Sequence, residues 1–116
     1  MKKIGDIGEN IAKNYLIKSG YEIIIQNYKY SRIGEIDIIA KTPKGVFVFI
    51  EVKFRKNNNF GGGEGAITSS KKEKIYLSIM NYITENDIDE EDIRFDVIII
   101  NKTKKKLIHY KNQQLN

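Results

Sequence analysis

The chain has 116 residues, 41% of them hydrophobic and 30% charged, which suits one folded domain over residues 1–116 and excludes a disordered polymer. With no cysteine and no apolar run near the roughly 18 residues of a membrane span, disulfide frameworks, thiolate zinc sites and membrane helices are excluded, and a cytoplasmic setting is expected. The formal charge is +5, but six of the fifteen acids fall within residues 85–92; elsewhere twenty Lys and Arg face nine acids, an imbalance that favours a polyanionic partner over mere solubilising lysine.

Met1-Lys2-Lys3 leads directly into a helical pattern over residues 5–19 and does not read as a signal peptide. Ile7, Ile11, Ala12, Tyr15 and Leu16 fall on one side of that helix, and Gly20 is placed to end it. Strand-like runs follow at residues 21–28, 34–41 and 46–55, the last rich in Val, Ile and Phe. Asn57-Asn58-Asn59 with Gly61, Gly62, Gly63 and Gly65 reads as a loop. A second helix starts near Ser69 or Ser70, with Ser70 and Glu73 at capping-box spacing and Ile75, Ile79, Met80 and Ile83 as its buried stripe. The acidic segment reads as a solvated loop or helix start. Residues 93–101 form a buried strand, residues 102–105 a turn, and residues 107–110 a last strand. The order is α-β-β-β-α-β-β. Short turns make antiparallel neighbours and the helix between strands three and four makes a parallel crossover, giving a mixed five-stranded sheet in order 1-2-3-4-5 flanked by helices.

Two phrases within this α/β frame can carry chemistry: Gly34-Glu35-Ile36-Asp37 and Ile50-Glu51-Val52-Lys53-Phe54-Arg55. Alternation puts Glu51, Lys53 and Arg55 on one face of the third strand, with Val48, Ile50, Val52 and Phe54 on the other. Thr42-Pro43-Lys44-Gly45 suits a three-residue hairpin loop with a G1 bulge, so Thr42 lies opposite Val46. Asp37 then faces Glu51 and Glu35 faces Lys53. A two-residue loop would turn Asp37 away from Glu51. Opposed carboxylates repel, and a divalent cation resolves the conflict. Two hard carboxylates, the Val52 carbonyl and water suit Mg²⁺ or Mn²⁺, with Lys53 placed beside the bound water or a phosphate. The alternative is a plain salt-bridge ladder, Glu35 with Lys53 and Asp37 with Arg55.

These residues together resemble the PD-(D/E)XK nuclease superfamily. More closely, the chain is similar to the YraN-type family of predicted endonucleases, related to archaeal Holliday-junction resolvases. The likeness runs from Gly8-Glu9-Asn10-Ile11-Ala12 through Asn27-Tyr28, Gly34-Glu35-Ile36-Asp37 and Glu51-Val52-Lys53 to Arg94-Phe95-Asp96-Val97, with Phe60-Gly61 and Lys71 or Lys72 also in place. It implies a restriction-endonuclease-like core in which Asp37 and Glu51 bind the metal and Lys53 is the catalytic lysine. It adds Glu9 as a further acid of the site, where the residues alone make Glu9 a helix-surface glutamate. Lys29 stands where arginine is common in that family, and Phe54 where threonine is common. The expected function is metal-dependent hydrolysis of phosphodiester bonds in DNA, branched DNA included. The alternative is a non-catalytic nucleic-acid-binding module that keeps the nuclease fold. A homodimer is expected only by analogy with junction resolvases.

The cations expected on nucleic acid are Lys29, Arg32, Arg55, Lys71 and Lys72, with Tyr28 and Tyr30 as stacking candidates. Tyr15, Tyr76 and Tyr82 fit helix-core or helix-edge positions better. His109, the only histidine, reads as exposed or structural rather than as a general base. Asp96 reads as a partner of Arg94 or of a backbone amide at least as readily as a catalytic acid.

Overall fold

The computed structural model describes residues 4–55 and 67–115, so the Asn- and Gly-rich stretch read as a loop, with Phe60 and Gly61, lies outside the described residues. Helix α1 (Ile4–Lys18) leads to β1 (Glu22–Tyr30), β2 (Gly34–Lys41) and β3 (Phe47–Arg55). Helix α2 (Ser69–Glu85), a 3₁₀ turn (Glu90–Asp92), β4 (Ile93–Asn101) and β5 (Lys106–Tyr110) follow. The sheet has the expected order β1-β2-β3-β4-β5, with β3 and β4 parallel and the other neighbours antiparallel.

Local chemistry accounts for the boundaries. Helix α1 ends in a Schellman arrangement: the Tyr21 amide donates to the Leu16 carbonyl at 2.9 Å while Gly20 takes φ +95°, a conformation cheap only for glycine. The β2–β3 turn forms as read from Pro43 and Gly45. Thr42 and Val46 bond at 2.9 Å, the Gly45 amide donates back to Thr42, and Gly45 takes φ +92°. Lys41 therefore pairs with Phe47, Ala40 with Val48 and Ile38 with Ile50. Helix α2 is capped by Thr68, whose hydroxyl accepts from the Lys71 amide at 3.1 Å. The Ser70–Glu73 capping box is not used, because Ser70 already lies inside the first turn.

The sheet is covered on both faces. Ala12 and Leu16 of α1 pack on Ile38, Ala40, Val48, Ile50, Ile98 and Ile100. Ile75, Ile79, Tyr82 and Ile83 of α2 pack on Ile39, Phe49, Phe95, Val97 and Ile99. That is the alternation expected of buried central strands. Ile36 breaks it, joining the α2 layer although it stands two residues before Ile38. Opposite this point Asn27 of β1 takes φ 57°, so the regular pleat is interrupted at Asp37. The buried side of α1 also differs from expectation. Ile7 and Ile11 are 43% and 40% exposed. Gly8 takes the interior place with Ala12 and Leu16, because a side chain there would meet Phe54 at 3.0 Å. Among the described residues no helix is long and apolar enough to cross a membrane.

Candidate active site

The β2–β3 ladder closes with Ile38 opposite Ile50 and goes no further. In that register Ile36 and Val52 would form the next hydrogen-bonded pair, with the Val52 amide and carbonyl both directed at β2. Instead the Val52 amide donates to Asp37 Oδ2 at 2.8 Å. The two strands thus part where the acids stand, and Asp37 fills the fork with its carboxylate. The expected pairing of Glu35 with Lys53 does not form, because it lies beyond the fork. Glu35 is exposed and pairs across to Lys29 on β1. Neither rung of the salt-bridge ladder is present among the described ion pairs.

Asp37 and Glu51 line one cavity of 340 Å³ together with Glu35, Lys71 and Lys74. Glu51 is 4% exposed, and Lys71 Nζ from α2 lies 2.6 Å from its Oε2. Lys53 Nζ is 3.8 Å from the same oxygen. Burial, then the charge of Glu51, then that of Glu9, pushes the Asp37 carboxyl up to about 7; the Val52 amide and Lys71 pull the other way. Burial works against the Lys71 ammonium, but its bond to Glu51 and the charges of Glu51, Asp37 and Glu35 outweigh that and raise it.

Two glycines let the helices reach the site. A Cβ on Gly34 would stand 2.5 Å from Ser78 Oγ and 2.6 Å from the Lys74 carbonyl, so the glycine is what lets α2 lie against the start of β2. Gly8 does the same for α1 at Phe54, and α1 then brings Glu9 within electrostatic reach of Asp37. Asp37 and Glu51 are hard oxygen donors of the kind a divalent cation takes, and burial first, then the charge of Glu51, disfavours the ionised Asp37. Among the described residues no three His, Asp or Glu side chains converge, so backbone and water would complete the shell.

Asp37 and Glu51 thus line one cavity with Lys53 beside Glu51, while Glu9 acts on Asp37 through its charge. Lys71, expected as a nucleic-acid contact, pairs with Glu51 instead. The helix period gives the signal for this: Lys71 precedes Ile75 by four residues and so heads the buried stripe. Lys72 is half-buried on α2, and Lys29 and Arg32 are exposed on and beside β1. Arg55 is half-buried at the end of β3, its carbonyl accepting from the Lys102 amide at 2.7 Å. Tyr28 is not a free stacking surface: its hydroxyl accepts from Asn81 at 2.7 Å and its ring stands edge-on to Tyr82, both on α2.

A second charged cluster lies apart from the cavity. Asp96 is fully buried and accepts two bonds from Arg94 at 2.9 Å, one from the Asn112 amide at 2.9 Å, and sits 2.7 Å from His109 Nε2. His109 Nδ1 meets the Tyr15 hydroxyl at 2.8 Å, so the network ties α1 to β4 and β5. Both ring nitrogens of this histidine are thus held by the side chains of Tyr15 and Asp96, in keeping with a structural role. A cavity of 680 Å³ is lined by Phe49, Tyr76, Phe95 and Leu115 among others and holds neither Asp37 nor Glu51.

Residues 8–100 match the uncharacterised protein family UPF0102, and the chain belongs to that family. A UPF0102 protein of Sulfurihydrogenibium sp. is 45% identical over 96 residues, covering 83% of this chain and 82% of its relative. One from Clostridioides difficile is 40% identical over 111 residues, covering 96% of each chain. One from Legionella pneumophila is 43% identical over 109 residues, covering 93% of this chain and 91% of the other. Among solved structures, a repair endonuclease from Pyrococcus abyssi aligns with TM-score 0.43 and 16% identity over 87% of this chain. This chain spans 38% of that protein.

Proposed function

We propose that this UPF0102 protein is a metal-dependent endonuclease that hydrolyses phosphodiester bonds in DNA, branched DNA included. The observation that carries the proposal is the pair Asp37 and Glu51: two carboxylates held together at the fork of β2 and β3, with Lys53 and Lys71 beside them. A structural pair of this kind is destabilising and needs a purpose. Asp37, Glu51 and the Val52 carbonyl would hold Mg²⁺ or Mn²⁺. Such a cation supplies an acidified water and neutralises charge building on the phosphate. Lys53, 22% exposed and 3.8 Å from Glu51, is in reach of that water or of a phosphate oxygen, where an ammonium stabilises developing negative charge. Glu9 adds negative charge at Asp37 and strengthens the pull on a cation. Lys29, Arg32, Arg55 and Lys72 would serve the flanking backbone, with affinity falling by roughly 0.9 log units per log unit of salt for each duplex phosphate neutralised.

Asp37→Asn and Glu51→Gln should each abolish Mg²⁺- or Mn²⁺-dependent cleavage of plasmid, four-way-junction and flap substrates while keeping nucleic-acid binding. Mn²⁺ should raise the melting temperature of the wild type and leave that of Asp37→Asn unchanged. The proposal fails if calorimetry finds no Mn²⁺ binding to the wild type and Asp37→Asn matches it in every cleavage assay.

One observation favours a second reading, a nucleic-acid-binding module without turnover. Lys71 Nζ, 2.6 Å from Glu51 Oε2, offsets the charge of that carboxylate from within the chain. Under that reading Mg²⁺ and Mn²⁺ change neither melting nor substrate integrity.

A further inference from the structure

We infer that a groove on the α1 side of the sheet binds an unpaired nucleic-acid strand. The inference rests on the nuclease reading for its partner, and it names what that partner must contain. The groove has a volume of 410 Å³, within the range of about 300–1,000 Å³ that encloses small ligands. Its walls are apolar: Ile7 and Ile11 of α1, Phe54 of β3 and Leu107 of β5. Its rim is Lys102, Lys105 and Lys106, all exposed. Among the described residues none of these lysines is paired with a carboxylate, and none of the residues lining the groove is acidic.

Both halves of the surface call for the same partner. Three lysines with no carboxylate partner among the described residues attract phosphates. Exposed aliphatic walls gain nothing from a duplex, which presents charged backbone outward, but they gain from the apolar faces of unstacked bases. The turn itself is built around this charge. Lys105 takes φ 52°, a conformation that glycine or asparagine adopts more easily, and the turn is braced by the Lys104 amide donating to Asn101 Oδ1 at 2.9 Å.

The test is fluorescence anisotropy with the full chain in metal-free buffer, so that it is independent of catalysis. The probes are a blunt duplex, the same duplex carrying an oligo-dT tail, and oligo-dT alone. The tail should raise affinity by about tenfold, the scale of one base packed on a side chain. Combining Lys102→Ala, Lys105→Gly and Lys106→Ala should erase the tail's effect and leave blunt-duplex affinity in place. It should also lower the oligo-dT salt slope by about 2. Glycine at position 105 suits the left-handed backbone, so this variant keeps the turn, which a melting temperature at or above the wild-type value verifies. Ile11→Ser, with the lysines intact, should also lose the tail's effect. The inference is overturned if the tail adds nothing, or if the triple variant still prefers tailed duplex. It is equally overturned if the triple variant instead loses binding to phosphatidylglycerol vesicles, which would make the groove a membrane surface. Binding of blunt duplex with no tail effect sinks this inference alone; failure to bind any of the three probes sinks the nuclease reading with it.

Discussion

Asp37 and Asp96 are both removed from solvent, and their surroundings drive them in opposite directions. Asp37 shares its fork with Glu51 and Glu9 and is pushed up to about 7. Burial would raise Asp96 as well, but His109, Arg94 and the Asn112 amide outweigh it and hold the carboxyl below its ordinary value of 3.8. The native state therefore binds the Asp96 proton less tightly than the unfolded chain does. The stability this carboxylate confers is fully present above the unfolded value and disappears as pH falls through the lower native one. Asp96→Asn should cost on the order of 3 kcal/mol at neutral pH, since it leaves Arg94 and His109 partly unpaired in the interior. It should also flatten the acid side of the stability–pH curve measured by urea unfolding. Parallel acid limbs for the two proteins would remove Asp96 from that role. At this scale the sequence was an uneven guide. Asp37, Glu51 and Lys53 could be read from strand alternation and one turn. The link between Tyr15 and His109 could not, because it spans 94 residues and depends on how α1 lies across β5.

The elements were more legible than their contacts. Pro43 and Gly45 determined the β2–β3 register, because only a three-residue loop places a left-handed residue where the glycine is. The fork beyond Ile38 was not readable, since strand periodicity does not mark where the Val52 amide turns to the Asp37 carboxylate and the ladder stops. Likewise the side of α1 that faces the sheet was misjudged at Ile7 and Ile11, because apolar periodicity gives no weight to a buried glycine. Gly34 shows why such positions matter. Gly34→Ala would put a methyl group against the Lys74 carbonyl and Ser78 Oγ, forcing α2 outward at a cost of roughly 1–3 kcal/mol. Lys71 would then lose its reach to Glu51. The variant should melt lower than wild type, and adding Ser78→Ala should not restore it, because the clash with the backbone carbonyl remains. Full recovery in the double variant would show that the side chain, and not the helix backbone, sets the approach.

Across the whole molecule, strand order, parallel crossover and two-sided covering followed from element order alone, because few ways of closing such a sheet exist. The same topology has a kinetic consequence. The β2–β3 hairpin is local in sequence, so its turn and the pairs from Lys41–Phe47 to Ile38–Ile50 can form early. Lys71 comes from α2, a separate element that follows the hairpin in sequence and packs on Ile39 and Phe49 as well as on Phe95 and Val97 of β4. Where the hairpin closes before α2 docks, the two acids meet before the ammonium arrives, and the barrier to folding contains a repulsion that Lys71 partly offsets in the finished protein. Without divalent cations, Asp37→Asn should refold faster than wild type, whereas Lys71→Ala should refold at the wild-type rate and unfold faster. Stopped-flow traces showing the reverse assignment would mean that α2 docks before the hairpin closes. The charges that equip this fork for chemistry would then be balanced throughout folding, instead of acting as a brake released at its last step.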